Sequence, residues 1–101
     1  MSTSATPAHA TPLVIQHHVG TGRFEAMVEG LHCELDYQLD GHLMRITHTG
    51  VPRALEGRGI AAALVVQALT WARAQGHQVQ PLCSYVQVYM RRHPEWQDLL
   101  A

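Results

Sequence analysis

Val51-Pro-Arg-Ala-Leu-Glu-Gly-Arg-Gly-Ile-Ala-Ala-Ala-Leu64 is the stretch where the chain changes its period. Before Pro52, apolar and polar residues alternate, the period of two of a half-buried strand. After Gly59 the spacing turns helical, with Ile60, Ala63, Leu64, Gln67, Ala68 and Trp71 on one face. Gly57 and Gly59 stand at the hand-over, where glycine lets the backbone turn tightly and approach a ligand. The free N–H groups of a helix's first turn point one way, and the helix dipole adds partial positive charge there. Together they make a pyrophosphate cradle to which Arg58 adds charge, and Ala61, Ala62 and Ala63 keep the helix start slim. The other reading is two glycines that serve only a tight turn. The loop lacks the GK[ST] ending of a P-loop, which argues against Mg-NTP hydrolysis. It follows four strands, with no acidic residue placed after a second parallel strand, so a dinucleotide-binding fold is disfavoured.

Reading outward toward the N-terminus, alternation runs through Leu13–Val19, Arg23–Glu29, Leu31–Asp40 and, less cleanly, His42–Thr49. Leu13, Ile15 and Val19 share a face that His17 interrupts. Phe24, Ala26 and Val28 oppose Arg23, Glu25, Met27 and Glu29. Leu31, Cys33, Leu35, Tyr37 and Leu39 oppose His32, Glu34, Asp36, Gln38 and Asp40, which places Cys33 in the core. Gly20-Thr-Gly22, Gly30 and Asp40-Gly41 break the runs, and Asp-Gly between alternating segments signals a hairpin. Toward the C-terminus, Ala61, Ala62, Val65, Val66 and Leu69 make the helix apolar on more than one side, and Gly76 ends it. His77–Cys83 reads as a strand and Val86–Arg92 as a short helix halted before Pro94. The expected fold is α+β: a four-stranded antiparallel meander, a helix, a parallel fifth strand and a short C-terminal helix. Residues 13–101 form one domain, and the Ser/Thr/Ala/Pro-rich Met1–Pro12 is expected to be a disordered tail.

Composition narrows the function. The chain has 101 residues, with seven Lys+Arg against eight Asp+Glu, which argues against a basic nucleic-acid binder. Its longest apolar run, Ile60–Val66, is far short of a membrane span of about 20 residues. Cys33 and Cys83 make neither a disulfide framework nor a CxxC site, and no His/Cys spacing suggests a metal. With no export signal and unpaired cysteines, the cytoplasm is the expected compartment.

Glu56-Gly57-Arg58-Gly59-Ile60-Ala61 resembles the acyl-CoA pyrophosphate loop of GNAT-superfamily acetyltransferases, Q/R-x-x-G-x-G/A. Gly59 and Ala61 match, and Glu56 departs from the usual Gln or Arg. His48-Thr-Gly-Val-Pro52, Pro81-Leu-Cys-Ser-Tyr-Val86 and Arg92-His-Pro94 extend the likeness to the minimal single-domain members, from about Phe24 to Trp96. The resemblance implies a truncated GNAT fold in which acetyl-CoA or CoA lies between two splayed parallel strands. Pantetheine would pair with main chain near Thr49, Gly50 and Val51. Phosphates would sit on the amides of Gly57, Arg58, Gly59, Ile60 and Ala61. A main-chain N–H near Val51 would polarise the thioester carbonyl.

The resemblance also makes Cys83 the catalytic cysteine, and the alternative is an unreactive thiol lining the sulfur pocket. Tyr85 and Tyr89 stand where the broader family places a tyrosine that protonates the leaving thiolate. Aromatic packing is the competing account. Arg92 and His93 are either contacts to the CoA 3′-phosphate or rim, or simply solvated. The base that deprotonates the amine is open among His32, Glu34, Asp36 and His48, a stripe that a wetted sheet face would also explain. The expected activity is acetyl transfer to an amine, a protein lysine or a small amine, directly or through Cys83, by a monomer or weak dimer. The rivals are a non-catalytic CoA-binding sensor and a plain interaction domain.

Overall fold

The computed structural model describes residues 13–101, so the tail expected at residues 1–12 lies outside the described residues. Five strands form one sheet in chain order: β1 (Gln16–His18), β2 (Arg23–Val28), β3 (Leu31–Asp40), β4 (Leu43–Gly50) and β5 (Gln78–Pro81). The first four are antiparallel neighbours, and β5 runs parallel to β4. Helix α1 (Ile60–Gln75) makes the crossover that parallel pairing requires, and α2 (Ser84–Arg92) follows β5. This is the α+β order that the periodicities predict. The turns explain the meander. Asp40-Gly41 closes β3 onto β4, and Glu29-Gly30 closes β2 onto β3 with φ of 52° and 77°. Positive φ at both positions suits a tight hairpin and costs the non-glycine Glu29 about 1 kcal/mol.

The core lies between one sheet face and α1. Phe24, Cys33, Leu35, Tyr37, Met44 and Ile46 pack against Leu64, Val65, Ala68, Leu69 and Ala72. The helix therefore turns a face that is rotated from the expected one. Gln67 and Val66 are exposed, and Val65, Leu69 and Ala72 take the places expected of Ala63, Gln67 and Trp71. A helix whose face is mostly apolar all round has its rotation decided by the sheet beneath it.

Other departures have local causes. β1 is only three residues long, because the Gly22 N–H bonds the His18 carbonyl at 2.9 Å and starts the turn at Val19. Val19 is exposed, whereas His17 faces inward, stacked on Phe24 at 3.8 Å and bonded through Nε2 to the Tyr37 hydroxyl at 2.6 Å. Burial, followed by the neighbouring His18, lowers the His17 pKa. Leu31 and Leu39 are exposed at the two ends of β3. Ten extended residues span about 33 Å and the sixteen of α1 about 24 Å, so the strand overhangs its cover. In β4 the pairing steps from Tyr37↔Ile46 to Asp36↔His48, which leaves Thr47 as an extra residue in a bulge. That bulge is why alternation is untidy there.

β5 ends at Pro81, two residues before its expected end at Cys83, and α2 begins at Ser84, two residues before Val86. A 3₁₀ segment, Pro94–Leu99, follows α2. It is held by Arg73, which stacks over Trp96 at 4.6 Å and donates to the Glu95 carbonyl at 3.0 Å. Beyond it the Ala101 N–H bonds the Val79 carbonyl at 3.0 Å and covers the outer edge of β5.

Candidate active site

β4 outruns β5. Their pairing covers only Leu43↔Gln78 to Ile46↔Pro81, while β4 stays paired with β3 as far as Glu34↔Gly50. Pro81 carries no N–H to extend the ladder. The amides of Leu82 and Cys83 both turn back onto the Ile46 carbonyl, at 2.9 and 3.2 Å, and the chain leaves the sheet for α2. Main-chain groups of Thr47–Gly50 are left facing a gap instead of a strand.

The gap opens onto the start of α1. Thr49, Val51, Leu55, Glu56, Gly57, Gly59, Ile60, Ala61, Ala62 and Tyr85 line one cleft of about 460 Å³. Gly59 caps the helix at φ 78°, with no side-chain cap and no acidic residue in the first turn. The first intrahelical bond runs from the Ala63 N–H to the Gly59 carbonyl at 3.0 Å, so the amides of Ile60, Ala61 and Ala62 lie ahead of it. Gly57 has φ 85°, and a Cβ on either glycine would project into open space. The loop is thus a cradle of backbone donors that a side chain would fill, and its form fits a pyrophosphate.

Six of the eight residues expected to bind the cofactor share this cleft: Thr49, Val51, Gly57, Gly59, Ile60 and Ala61. Gly50 and Arg58 do not line it. Gly50 turns its back to the opposite face, under Glu34 and His48. The Arg58 guanidinium is paired with Glu29 on the β2–β3 turn, which holds the Glu29 carboxyl below its ordinary range.

Cys83 is no longer part of β5 but the cap residue of α2, with φ −84° and ψ 134°. Its Sγ–H points to the Thr49 hydroxyl at 3.8 Å, across the mouth of the gap. The start of α2 places partial positive charge beside the thiol. Cys33, by contrast, is fully buried, and burial raises its thiol pKa. Tyr85, in the first turn of α2, reaches into the same cleft; burial, and then Tyr89, raise its pKa and keep the phenol protonated. Beyond it a second hollow of about 300 Å³ shares Ala62 and Tyr85 and adds Val88, Tyr89, Arg92 and His93. There His93 stacks on Tyr89 at 3.9 Å and donates through Nδ1 to its carbonyl at 2.7 Å. Among the described residues no group of three or more His, Cys, Asp or Glu is placed to hold a metal ion. Nor is any helix there long and apolar enough to cross a membrane.

A profile described as GCN5-related N-acetyl-transferase matches residues 23–99, the span that contains β2 through the 3₁₀ segment. The chain belongs to the GCN5-related N-acetyltransferases. Within this acetyltransferase family it is similar to mouse Protein NATD1, 31% identical over 97 residues, with 89% of this chain and 88% of that protein covered. Human Protein NATD1 is 30% identical over 86 residues, covering 82% and 76%. A GCN5-like protein from Staphylococcus aureus, solved in solution by NMR, shares the fold with a TM-score of 0.72 at 24% identity, covering 88% of each chain. The truncated GNAT fold implied by the loop motif is therefore the fold of this acetyltransferase.

Glu56 is the dissonant residue, because it brings a carboxylate into a cleft shaped for an anion. If the cleft takes acetyl-CoA, as the family generally does, Glu56→Gln is expected to tighten that binding several-fold, with the gain shrinking as salt is raised. Calorimetric titration at two ionic strengths measures both effects.

Proposed function

We propose that this acetyltransferase moves the acetyl group of acetyl-CoA to an amine, a protein lysine or a small amine. The observation that carries the reading is the unpaired flank of β4 running straight into the glycine cradle of α1. An extended pantetheine chain fits the first as a missing strand, and a pyrophosphate fits the second. Main chain near Thr49–Val51 and the amides of Gly57–Ala61 would hold acetyl-CoA, and the second hollow, with Arg92 and His93, would take its nucleotide end. The bound donor supplies an activated thioester. The chain's own residues orient it, with a main-chain N–H near Val51 facing the carbonyl. Tyr85, kept protonated, would give a proton to the departing sulfur. Among the described residues the shallow site carries no substrate-binding insertion, which suits an open acceptor surface. We place the protein in the cytoplasm, as a monomer or weak dimer.

Two routes fit the geometry: attack by the amine on the bound thioester, or prior transfer to Cys83. The thiol's position beside Thr49 at the gap favours the second. Every cationic residue of the chain is an arginine, so there is no lysine to be acetylated adventitiously. After incubation with acetyl-CoA, intact-mass measurement is expected to show one acetyl increment that disappears in Cys83→Ser. Near-normal transfer by Cys83→Ser with no increment in the parent protein would leave only the direct route. A second reading, a CoA-binding module without turnover, is favoured by the Glu56 carboxylate in the cleft. Acetyl-CoA binding with no thiol release across a panel of amines would select it.

A further inference from the structure

Arg58 carries the one side chain between the two cradle glycines, and it does not line the cleft. Its guanidinium forks onto Glu29, 29 residues earlier in the chain: Nη1 donates to Oε2, and Nη2 lies 3.5 Å from Oε1. Register brings the two together. Glu25, Glu34 and Gly50 stand in one row across the sheet, and β2 and β3 run past that row to Val28↔Leu31 before they turn at Glu29-Gly30. β4 ends at Gly50, and the chain goes from there into the cradle loop. The hairpin tip and the loop therefore share one end of the sheet.

We infer that Glu29 is a positioning residue for the pyrophosphate loop: through Arg58 it braces the backbone between Gly57 and Gly59 in its binding form. The inference rests on the transferase reading above and names what keeps the cradle of that reading ready. Backbone conformation is the first argument. Glu29, at φ 52°, is the one non-glycine with a positive φ among the described residues; every other such position there is a glycine. Glycine at 29 would turn the hairpin without that strain. The chain instead keeps a carboxylate where a side chain is unfavourable, and strain of this kind marks a position held for its side chain. The ion pair that this side chain makes is the one with Arg58.

Support of the loop is the second argument. Its entry is fixed by the buried Leu55 and by the Leu55 and Glu56 amides, which bond the Pro52 and Arg53 carbonyls at 2.9 and 3.1 Å. Its exit is fixed by the Ala63 N–H on the Gly59 carbonyl. Between the two, among the described residues, the amides of Gly57, Arg58 and Gly59 have no main-chain partner, and a Cβ on either glycine would meet nothing within 4 Å. Glycine has the most conformational freedom to lose, so Arg58 sits between two hinges. Its fork on the hairpin is what spans them. Both partners are well exposed, 47% for Arg58 and 62% for Glu29, so the pair adds little to the stability of the whole domain. Its effect is local to the loop. The hydrogen bond from Arg58, and then its charge, hold the Glu29 carboxyl below its ordinary range, so the brace is charged at neutral pH. A braced loop presents its amides in place, whereas a loose one must be ordered by the ligand at a cost to affinity. With its guanidinium engaged by Glu29, Arg58 offers the phosphates its main-chain amide alone.

The test uses the full chain and two probes: CoA, which carries the pyrophosphate, and pantetheine, which ends before it. In calorimetric titration Glu29→Gln and Arg58→Gln are each expected to weaken CoA binding by about 10-fold, because the ligand must then order the loop. The double variant should lose no more than either single one, since a brace can be removed only once. Exchanging the partners, Glu29→Arg with Arg58→Glu, should recover part of the affinity. Pantetheine affinity and the melting temperature of the free protein should match the parent in every variant. A Glu29→Gln protein that binds CoA as tightly as the parent, or more tightly, would overturn the brace; the tighter result would mean that a freed Arg58 serves the phosphate itself. Equal weakening of CoA and pantetheine would overturn it as well, as a loosening of the whole site. Either outcome leaves the transferase standing, because the parent binds CoA in both. If the parent protein binds neither probe, the transferase reading itself fails, and this assignment with it.

Discussion

A Gly59→Val protein is expected to keep its sheet and lose acetyl-CoA. Gly59 caps α1 in the left-handed region, at φ 78°, with open space on its Cβ side. Valine there meets two costs of different kinds. The backbone would have to hold an L-residue, and a branched one, in a conformation that costs about 1–2 kcal/mol. That is borne by the loop and leaves the core untouched. The isopropyl group would occupy the space in which a phosphate must approach the amides of Ile60 and Ala61. Losing two charge-assisted hydrogen bonds at about 1.5 kcal/mol each weakens binding by more than about 100-fold. Circular dichroism should match the parent, while calorimetric titration with acetyl-CoA should lose its signal. A parent-like affinity would mean that the glycines serve the turn alone.

Leu64→Ala should have the largest effect on stability, and its consequence should depend on the ligand. Leu64 is fully buried where α1 meets the sheet, among Leu35, Ile46 and Ala68 in the same core. Truncation to alanine in such a site costs about 2–5 kcal/mol, set by how far the cavity relaxes. For a domain of this size, with total stability of about 5–15 kcal/mol, that is a large share. It corresponds to a fall in melting temperature of at least about 8 °C, read by thermal denaturation. Under the proposed function acetyl-CoA binds only the folded chain, so at a hundred times its Kd it should return about 2.7 kcal/mol. The variant should therefore melt early when free and recover much of the loss when saturated. A melting temperature indifferent to acetyl-CoA would argue against the cleft as its site.

How much of this was legible from residues alone depends on whether a feature is local. Asp40-Gly41, the alternation of Leu31–Asp40 and the switch of period at Gly59 are each written in neighbouring residues, so the meander and the crossover were readable. Six residues of the cleft were readable for the same reason: the loop from Gly57 to Ala61 is contiguous, and the segment before it, which holds Thr49 and Val51, must be the strand that feeds it. What depended on register was not. The outward face of α1 is set by the sheet beneath it, because a helix apolar nearly all round has no preferred side. His17 looks like an interruption until Phe24 and Tyr37 come alongside it. The bulge at Thr47 is visible only once β3 is laid against β4. Cys83 moves from strand end to helix cap because Pro81 ends the ladder early, a signal that was present and that the apolar run to Cys83 obscured. His18, Glu25, His32, Glu34 and His48 are spread over four strands, and only antiparallel register strings them together.

The early end of β5 also has a consequence for the free protein in a cell. A strand that is paired on one flank and bare on the other is a sheet edge, and here that edge lies inside the sheet, where among the described residues no strand pairs with it. Outer edges are commonly blunted by such devices, and the far side of β5 is covered by the chain's own last residues. Under the proposed function the ligand is what closes the inner edge. Acetyl-CoA would then be the protein's guardian as well as its acetyl donor. When the metabolite is scarce, the same bare flank is a template for any extended peptide that meets it, and the supply of donor would govern how long the protein lasts as well as how fast it works.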